Sequence, residues 1–160
     1  MARVTVKAPG KINLALHVGP LEASGYHDLL SVFQAVDVWE TLTAENASEF
    51  SLTVSGDVVL DEIPLDENNL VIKAARAVQR VSGFEGAAAF HIDKKVPVGG
   101  GMAGGSADAA AALVAVDALW GTQLSQVQLL DLAAELGSDV PFRAHHPEMA
   151  LLPHPQHRGV

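Results

Sequence analysis

Hydrophobic and polar residues alternate at the start of the chain. Val4 and Val6 open the pattern and Ala8-Pro9-Gly10 interrupts it. Ile12, Leu14, Leu16 and Val18 then resume it against Lys11, Asn13, Ala15 and His17. A period of two marks a half-buried strand. The spacing predicts one strand over residues 4–7, a break at Pro9-Gly10, and a second strand over residues 11–18. It also sets Lys11 and Asn13 side by side on one face. Asparagine is a poor strand former, so this polar pair points to a wet, functional face rather than a packed one.

The segment from Gly19 to Asp28, GPLEASGYHD, is loop chemistry with Gly19-Pro20 and Ser24-Gly25 as breakers. Residues 30–40 and 49–55 read as further strands, the latter alternating Phe50, Leu52 and Val54. The period then changes. Leu70, Ala74, Ala77, Val78 and Val81 form a helical stripe with Lys73, Arg76 and Arg80 away from it. Asn68 or Asn69 can cap this helix and Gly83 can end it. Residues 88–93 suit a strand, and residues 107–120 a helix apolar nearly all round, hence a buried one. A last helix is expected from Ser125, where Gln128 completes a capping box, to Gly137. Strands first and then mixed helices and strands give an α+β fold. Residues 143–160 hold four of the seven histidines and three of the eight prolines without any periodicity. They read as an irregular tail in which metal binding by the scattered histidines is disfavoured.

Composition narrows the classes. The 160 residues are 49% hydrophobic and 18% charged, enough for one globular domain with a core and too few for two ordinary ones. A formal net charge of -9 argues against a nucleic-acid partner and gives any bound polyphosphate an unfavourable global field. Without cysteine there are neither disulfides nor thiolate metal sites. No apolar run reaches the length of a membrane span, and MARVTVKAPGK lacks a signal peptide's apolar core. The expectation is a soluble cytoplasmic protein.

The residues that change the picture lie between Pro97 and Ala107. Five of the seven residues from Gly99 to Gly105 are glycine, and an alanine-rich helix follows. Glycine is entropically costly to order, so such a loop needs a return. Unshielded main-chain amides, together with the roughly half a positive charge at a helix N-terminus, make an anion site that needs no cationic side chain. That suits an acidic protein. No lysine follows the glycines, so this is not a P-loop. Gly99, Gly101 and Gly104 satisfy GxGxxG by spacing, yet no acidic residue ends a strand about twenty positions on, as a dinucleotide fold requires. Lys94 and Lys95 either add local positive charge or face solvent. Asp108 is expected to complement the helix dipole, with no metal-ligand role assigned.

The segment PVGGGMAGGSADAAAAL resembles the central motif of the GHMP kinases, small-molecule kinases with a loop over the ATP phosphates. Three more stretches, APGKINLALHV, SGYHDLLSVFQAVD and ELGSDVPF, point within that family to members acting on a cytidyl diphosphate sugar alcohol in non-mevalonate isoprenoid biosynthesis. The likeness runs from about residue 3 to Phe142. It implies a mixed sheet with helices on one side and a left-handed βαβ unit, where the general preference is right-handed. It also implies ATP and Mg2+ as cofactors. The phosphate cradle would be Pro97, Val98, Gly99, Gly100, Gly101, Met102, Ala103, Gly104, Gly105, Ser106 and Ala107.

The resemblance makes Lys11 and Asp139 the catalytic pair. By themselves, Lys11 reads as a solvated strand lysine and Asp139, before Val140-Pro141, as turn chemistry. Asn13, Tyr26, His27 and Phe33 fall on substrate-side positions. Tyr26, the single tyrosine, suits stacking on a pyrimidine, with packing over the sheet edge as the other reading. After Phe142 the likeness stops, so the chain is expected to comprise the N-terminal domain of the family, residues 1–142, without its C-terminal domain. Two further readings stay open at this level: a nucleotide-binding remnant without activity, and another GHMP kinase such as a mevalonate or homoserine kinase.

Overall fold

A computed structural model describes residues 2–21, 27–144 and 150–152. Strands β1 (Arg3–Leu21), β2 (His27–Ala47) and β3 (Ser51–Gly56) lead into helix α1 (Leu70–Ser82). Strand β4 (Ala87–Lys94), helices α2 (Gly104–Trp120), α3 (Gln126–Leu136) and α4 (Val140–Ala144), and strand β5 (Ala150–Leu152) complete the order. The strands form one five-stranded sheet in the order β3-β4-β2-β1-β5. β3 and β4 run parallel while β1 with β2, β2 with β4 and β1 with β5 are antiparallel, so the sheet is mixed. β3, α1 and β4 make a βαβ unit. The α+β class follows directly.

The predicted break at Pro9-Gly10 is a bulge, and residues 4–7 and 11–18 belong to one strand. The register jumps from Pro9 opposite Trp39 to Gly10 opposite Val36, and shifts again between Asn13 and Ala15. Proline cannot donate to a ladder, and a bulge absorbs the missing bond without ending the strand. Gly10 is required by space here. A Cβ on it would stand 3.1 Å from Val96 Cγ2 and 3.3 Å from the Val38 carbonyl oxygen. The bend lets the Lys11 backbone N–H donate to the Met102 carbonyl at 3.1 Å, which ties β1 to the glycine loop.

The helices follow their sequence signals closely. Asn69 is the cap of α1, its Oδ1 accepting from Val71 N at 2.9 Å, and Gly83 ends the helix at φ 72°. Lys73, Arg76 and Arg80 face solvent as expected. The buried face is rotated from the predicted stripe: Val71, Ile72 and Ala75 are buried, while Val81 is 42% exposed. Helix α3 carries the predicted Ser125–Gln128 capping box. Helix α2 is buried nearly all round, with Ala107, Ala109 to Ala112 and Ala115 fully inaccessible. Small side chains let it lie close against both α1 and the sheet, which is why an alanine run is found here.

Two elements escaped the sequence pattern. The Val140-Pro141 turn opens the short helix α4, and residues 150–152, within the stretch expected to be irregular, pair with Lys7, Val6 and Thr5 of β1. Toward the end of the β1–β2 hairpin, Leu14, Leu16, Leu30 and Val32 are 61%, 57%, 71% and 52% exposed. The period-two pattern identified a strand there, but not a covered one. Among the described residues no helix is long and apolar enough to cross a membrane.

Candidate functional site

The loop from Pro97 to Ala103 and the start of α2 wall a cleft of about 530 Å³, within the range of small-molecule sites. Gly99 and Gly101 have φ of 70° and 72°, in the left-handed region that glycine enters freely. A Cβ at Gly99, Gly101 or Gly105 would meet nothing within 4 Å, so open space lies beside the backbone at three of the five glycines. Helix α2 starts at Gly104, three residues earlier than predicted, so two glycines supply its first N–H groups. No side chain caps this end; Ala103 precedes it at φ 55°. The free amides at that terminus are among the groups an anion would satisfy.

Pro97, Val98, Gly99 to Gly101 and Ala103 to Ser106 line the cleft. The other two expected cradle residues do not. Ala107 is fully buried in the core, and Met102 serves the site through its carbonyl's bond to Lys11. Glu62, Ile63, Pro64, Asn68, Asn69 and Leu70 line the cleft as well. Sequence reasoning saw Asn68 and Asn69 only as possible caps; a polar pair abutting an apolar run was the one available signal.

At the same cleft the structure brings together Lys11 and Asp139, which are 128 residues apart in sequence. Lys11 Nζ lies 3.6 Å from Asp139 Oδ2. Lys11 is only 6% exposed, because the bulge after Pro9 turns β1 into the loop. It is not the solvated strand lysine of the alternative reading. Its ammonium donates to Asn13 Oδ1 at 2.6 Å and sits 4.8 Å from the centroid of the Phe33 ring, a cation–π distance. Phe33 in turn packs at 5.2 Å against Phe142 of α4. Asp139 precedes α4, where the Val140 N–H donates to Gly137 O at 3.2 Å and Val140 is fully buried. That anchored turn presents the carboxylate to the cleft. Asn13 thus stands beside Lys11 as the period of two suggested, and Phe33, placed on the substrate side only by the resemblance, flanks Lys11 as well. Tyr26 and the side chain of His27 lie outside the described residues.

Beneath the loop lies a charged cluster that the sequence did not reveal. Lys94 Nζ is 2.7 Å from both Glu40 Oε1 and Asp108 Oδ2, and these three residues are 2%, 0% and 5% exposed. Lys94 therefore does not face solvent, while the Lys95 side chain does. Glu40 Oε2 also accepts from the Lys95 backbone N–H at 3.1 Å, pinning the chain where β4 gives way to the loop. Burial works against the Lys94 charge, but Asp108 and Glu40 outweigh it and hold its pKa above that of an ordinary lysine. Burial pushes Asp108 up to about 7, with the Glu40 charge adding to the effect and Lys94 opposing it. Asp108 is thus an ion-pair partner four residues into α2, where only a complement to the helix dipole was expected. Among the described residues no group of three or more His, Asp or Glu side chains could hold a metal ion.

Residues 69–146 match the GHMP kinases N terminal domain. The chain is 53% identical over 147 residues to a protein of Kineococcus radiotolerans named 4-diphosphocytidyl-2-C-methyl-D-erythritol kinase, covering 91% of this chain and 45% of that protein. It is 50% identical over 143 residues to a protein of the same name from Leifsonia xyli, covering 89% of this chain and 47% of that one. Among solved structures, a 4-(cytidine 5'-diphospho)-2C-methyl-D-erythritol kinase superposes with a TM-score of 0.68 at 32% identity over 86% of this chain and 47% of that one. A homoserine kinase from Cytophaga hutchinsonii, at a TM-score of 0.61 and 21% identity, shares the fold. The chain spans about half the length of the curated relatives it matches.

Proposed function

We propose, from the match of residues 69–146 to the GHMP kinases N terminal domain and the similarity to proteins named 4-diphosphocytidyl-2-C-methyl-D-erythritol kinase, that the chain provides the ATP-binding and phosphoryl-transfer half of such an enzyme. In this reading ATP gives its γ-phosphoryl group to the 2-hydroxyl of 4-diphosphocytidyl-2-C-methyl-D-erythritol, in a cytoplasmic pathway to isoprenoid precursors. Residues 1–142 form the body of the domain, and the 143–160 stretch adds the end of α4 and strand β5 to it.

Phosphoryl transfer rests mainly on positioning and charge neutralisation. The main-chain amides between Pro97 and Ala107 hold the ATP phosphates, supported by the open glycine backbone and the uncapped start of α2. Mg2+, which the family resemblance implies, would supply further neutralisation of the charge on the nucleotide. Asp139 takes the proton of the attacking hydroxyl as its oxygen bonds to phosphorus and ADP leaves. Lys11 stabilises the charge on the transferred group. Asn13 and Phe33 shape the acceptor side, and Tyr26 and His27 read the cytosine. The observation that carries this reading is the convergence of Lys11 and Asp139 in the lining of the glycine-walled cleft.

The test is ADP release with the cytidyl diphosphate substrate, read beside ATP affinity from calorimetry. Asp139→Asn is expected to lower turnover by about 10²–10⁴, the usual worth of a positioned base, with ATP affinity kept. Turnover unaffected by the substitution contradicts the assignment. ATP binding by the parent chain without any turnover reduces the reading to a nucleotide-binding domain.

A further inference from the structure

Lys11 and Asp139 stand 3.6 Å apart, well outside the roughly 2.7–2.9 Å of a charge-assisted hydrogen bond. An ammonium and a carboxylate with nothing else in reach would close that gap. Here the ammonium is engaged from the other side, donating to Asn13 Oδ1 at 2.6 Å. Asn13 is itself held: its Nδ2 donates to Ser31 Oγ at 2.7 Å across the β1–β2 pair. The Ser31 hydroxyl donates to the Ala15 carbonyl at 3.1 Å.

Proton counting fixes the direction of this chain. A hydroxyl has one hydrogen, and Ser31 gives it to a carbonyl that can only accept, so toward Asn13 it must accept. A lysine ammonium has no acceptor, so it must donate. The amide of Asn13 is thereby assigned from both ends, with nitrogen on Ser31 and oxygen on Lys11. The β1 main chain at Ala15, just past the Leu14 bulge, thus anchors a side chain two positions earlier on its own strand.

Resting on the kinase reading above, we propose that Ser31, acting through Asn13, is a positioning residue that holds the Lys11 ammonium off Asp139 and keeps a gap in which an acceptor hydroxyl can reach the carboxylate. Once the tether is cut, Asn13 swings free and Lys11 closes on Asp139. The oxygen that must receive the hydroxyl's proton is then covered. Nothing in the residue type of Ser31 announces this role; it arises from the register that sets Leu16 opposite Ser31 one step from the bulge.

Two readouts keep the tether and the kinase reading apart. The first needs no substrate. In Ser31→Ala the side-chain amide resonances of Asn13 move to those of a freely solvated asparagine, and Ser31→Thr, which keeps the hydroxyl, returns them. The second is ADP release by the same variants. Ser31→Ala lowers kcat about tenfold or more with the KM for ATP unchanged, in line with the cost of misplacing a reacting group, and Ser31→Thr restores it. Parent-like Asn13 resonances in Ser31→Ala overturn the tether. A released Asn13 amide with kcat intact overturns its positioning role and leaves the kinase reading standing. Absence of turnover in the parent overturns the kinase reading and with it the catalytic role, while the resonances still decide the tether.

Discussion

Gly104, the first residue of α2, rests on the buried carboxylate of Glu40: a Cβ there would stand 3.0 Å from Glu40 Oε1 and 3.2 Å from Lys94 Nζ. The loop above and the ion cluster below are therefore one unit. The cluster fixes the floor on which the start of α2 sits, and a glycine there lets the helix come that near without crowding it.

The first prediction follows from this contact. Gly104→Val forces a branched side chain against Glu40, Lys94 and Val96, all three of them buried. It is expected to destabilise the fold by about 1–3 kcal/mol, the usual cost of overpacking, as a lowered urea midpoint at unchanged slope. Gly105→Ala, where a Cβ meets open space, is the control and should leave the midpoint within about 0.5 kcal/mol of the parent.

Removing the cation should cost more. Lys94→Met leaves Glu40 and Asp108 buried without a counter-charge, and breaking a buried pair in this way costs about 3–5 kcal/mol. Urea unfolding measures the loss. Adding Glu40→Gln and Asp108→Asn to Lys94→Met should recover a large part of it, because an uncharged cluster carries no unpaired ion.

The same cluster makes stability depend on pH in an unusual direction. Asp108 holds its proton up to about pH 7 in the folded chain, whereas the unfolded carboxyl releases it near pH 4. Between those values the native state binds the extra proton, so stability falls as pH rises. Lys94 does not oppose this, since its raised pKa keeps it charged throughout the window. Urea midpoints at intervals from pH 4 to 7 should show the decline in the parent and a flatter profile in Asp108→Asn. A profile in Asp108→Asn as steep as the parent's would show that Asp108 does not cause it.

Most of the scaffold was legible in the sequence, for reasons that can be named. Asn69, Gly83, Ser125 and Gln128 act within a few residues of themselves, so caps could be read locally. The alanine run before Trp120 announced a buried helix because no face of it was polar. What was misread depends on distant partners. Pro9-Gly10 looked like a break because the bulge that accommodates it is completed by Trp39 and Val36. Glu40, Lys94 and Asp108 come from a strand, a strand end and a helix, and no spacing joins them. Lys11 and Asp139 could be paired only through the family resemblance; the bend at Gly10 and the anchored turn at Val140 give that pairing its geometry.

Nucleotide binding at the glycine loop is tested directly by amide chemical-shift mapping of the chain during titration with a non-hydrolysable ATP analogue. The predicted result is that the largest shifts fall on the backbone amides of Gly99 to Ser106, with Lys11 responding across the cleft. Shifts concentrated on the far side of the sheet, around Ser51 to Gly56 and His91, or no saturable response from the glycine amides, would contradict it.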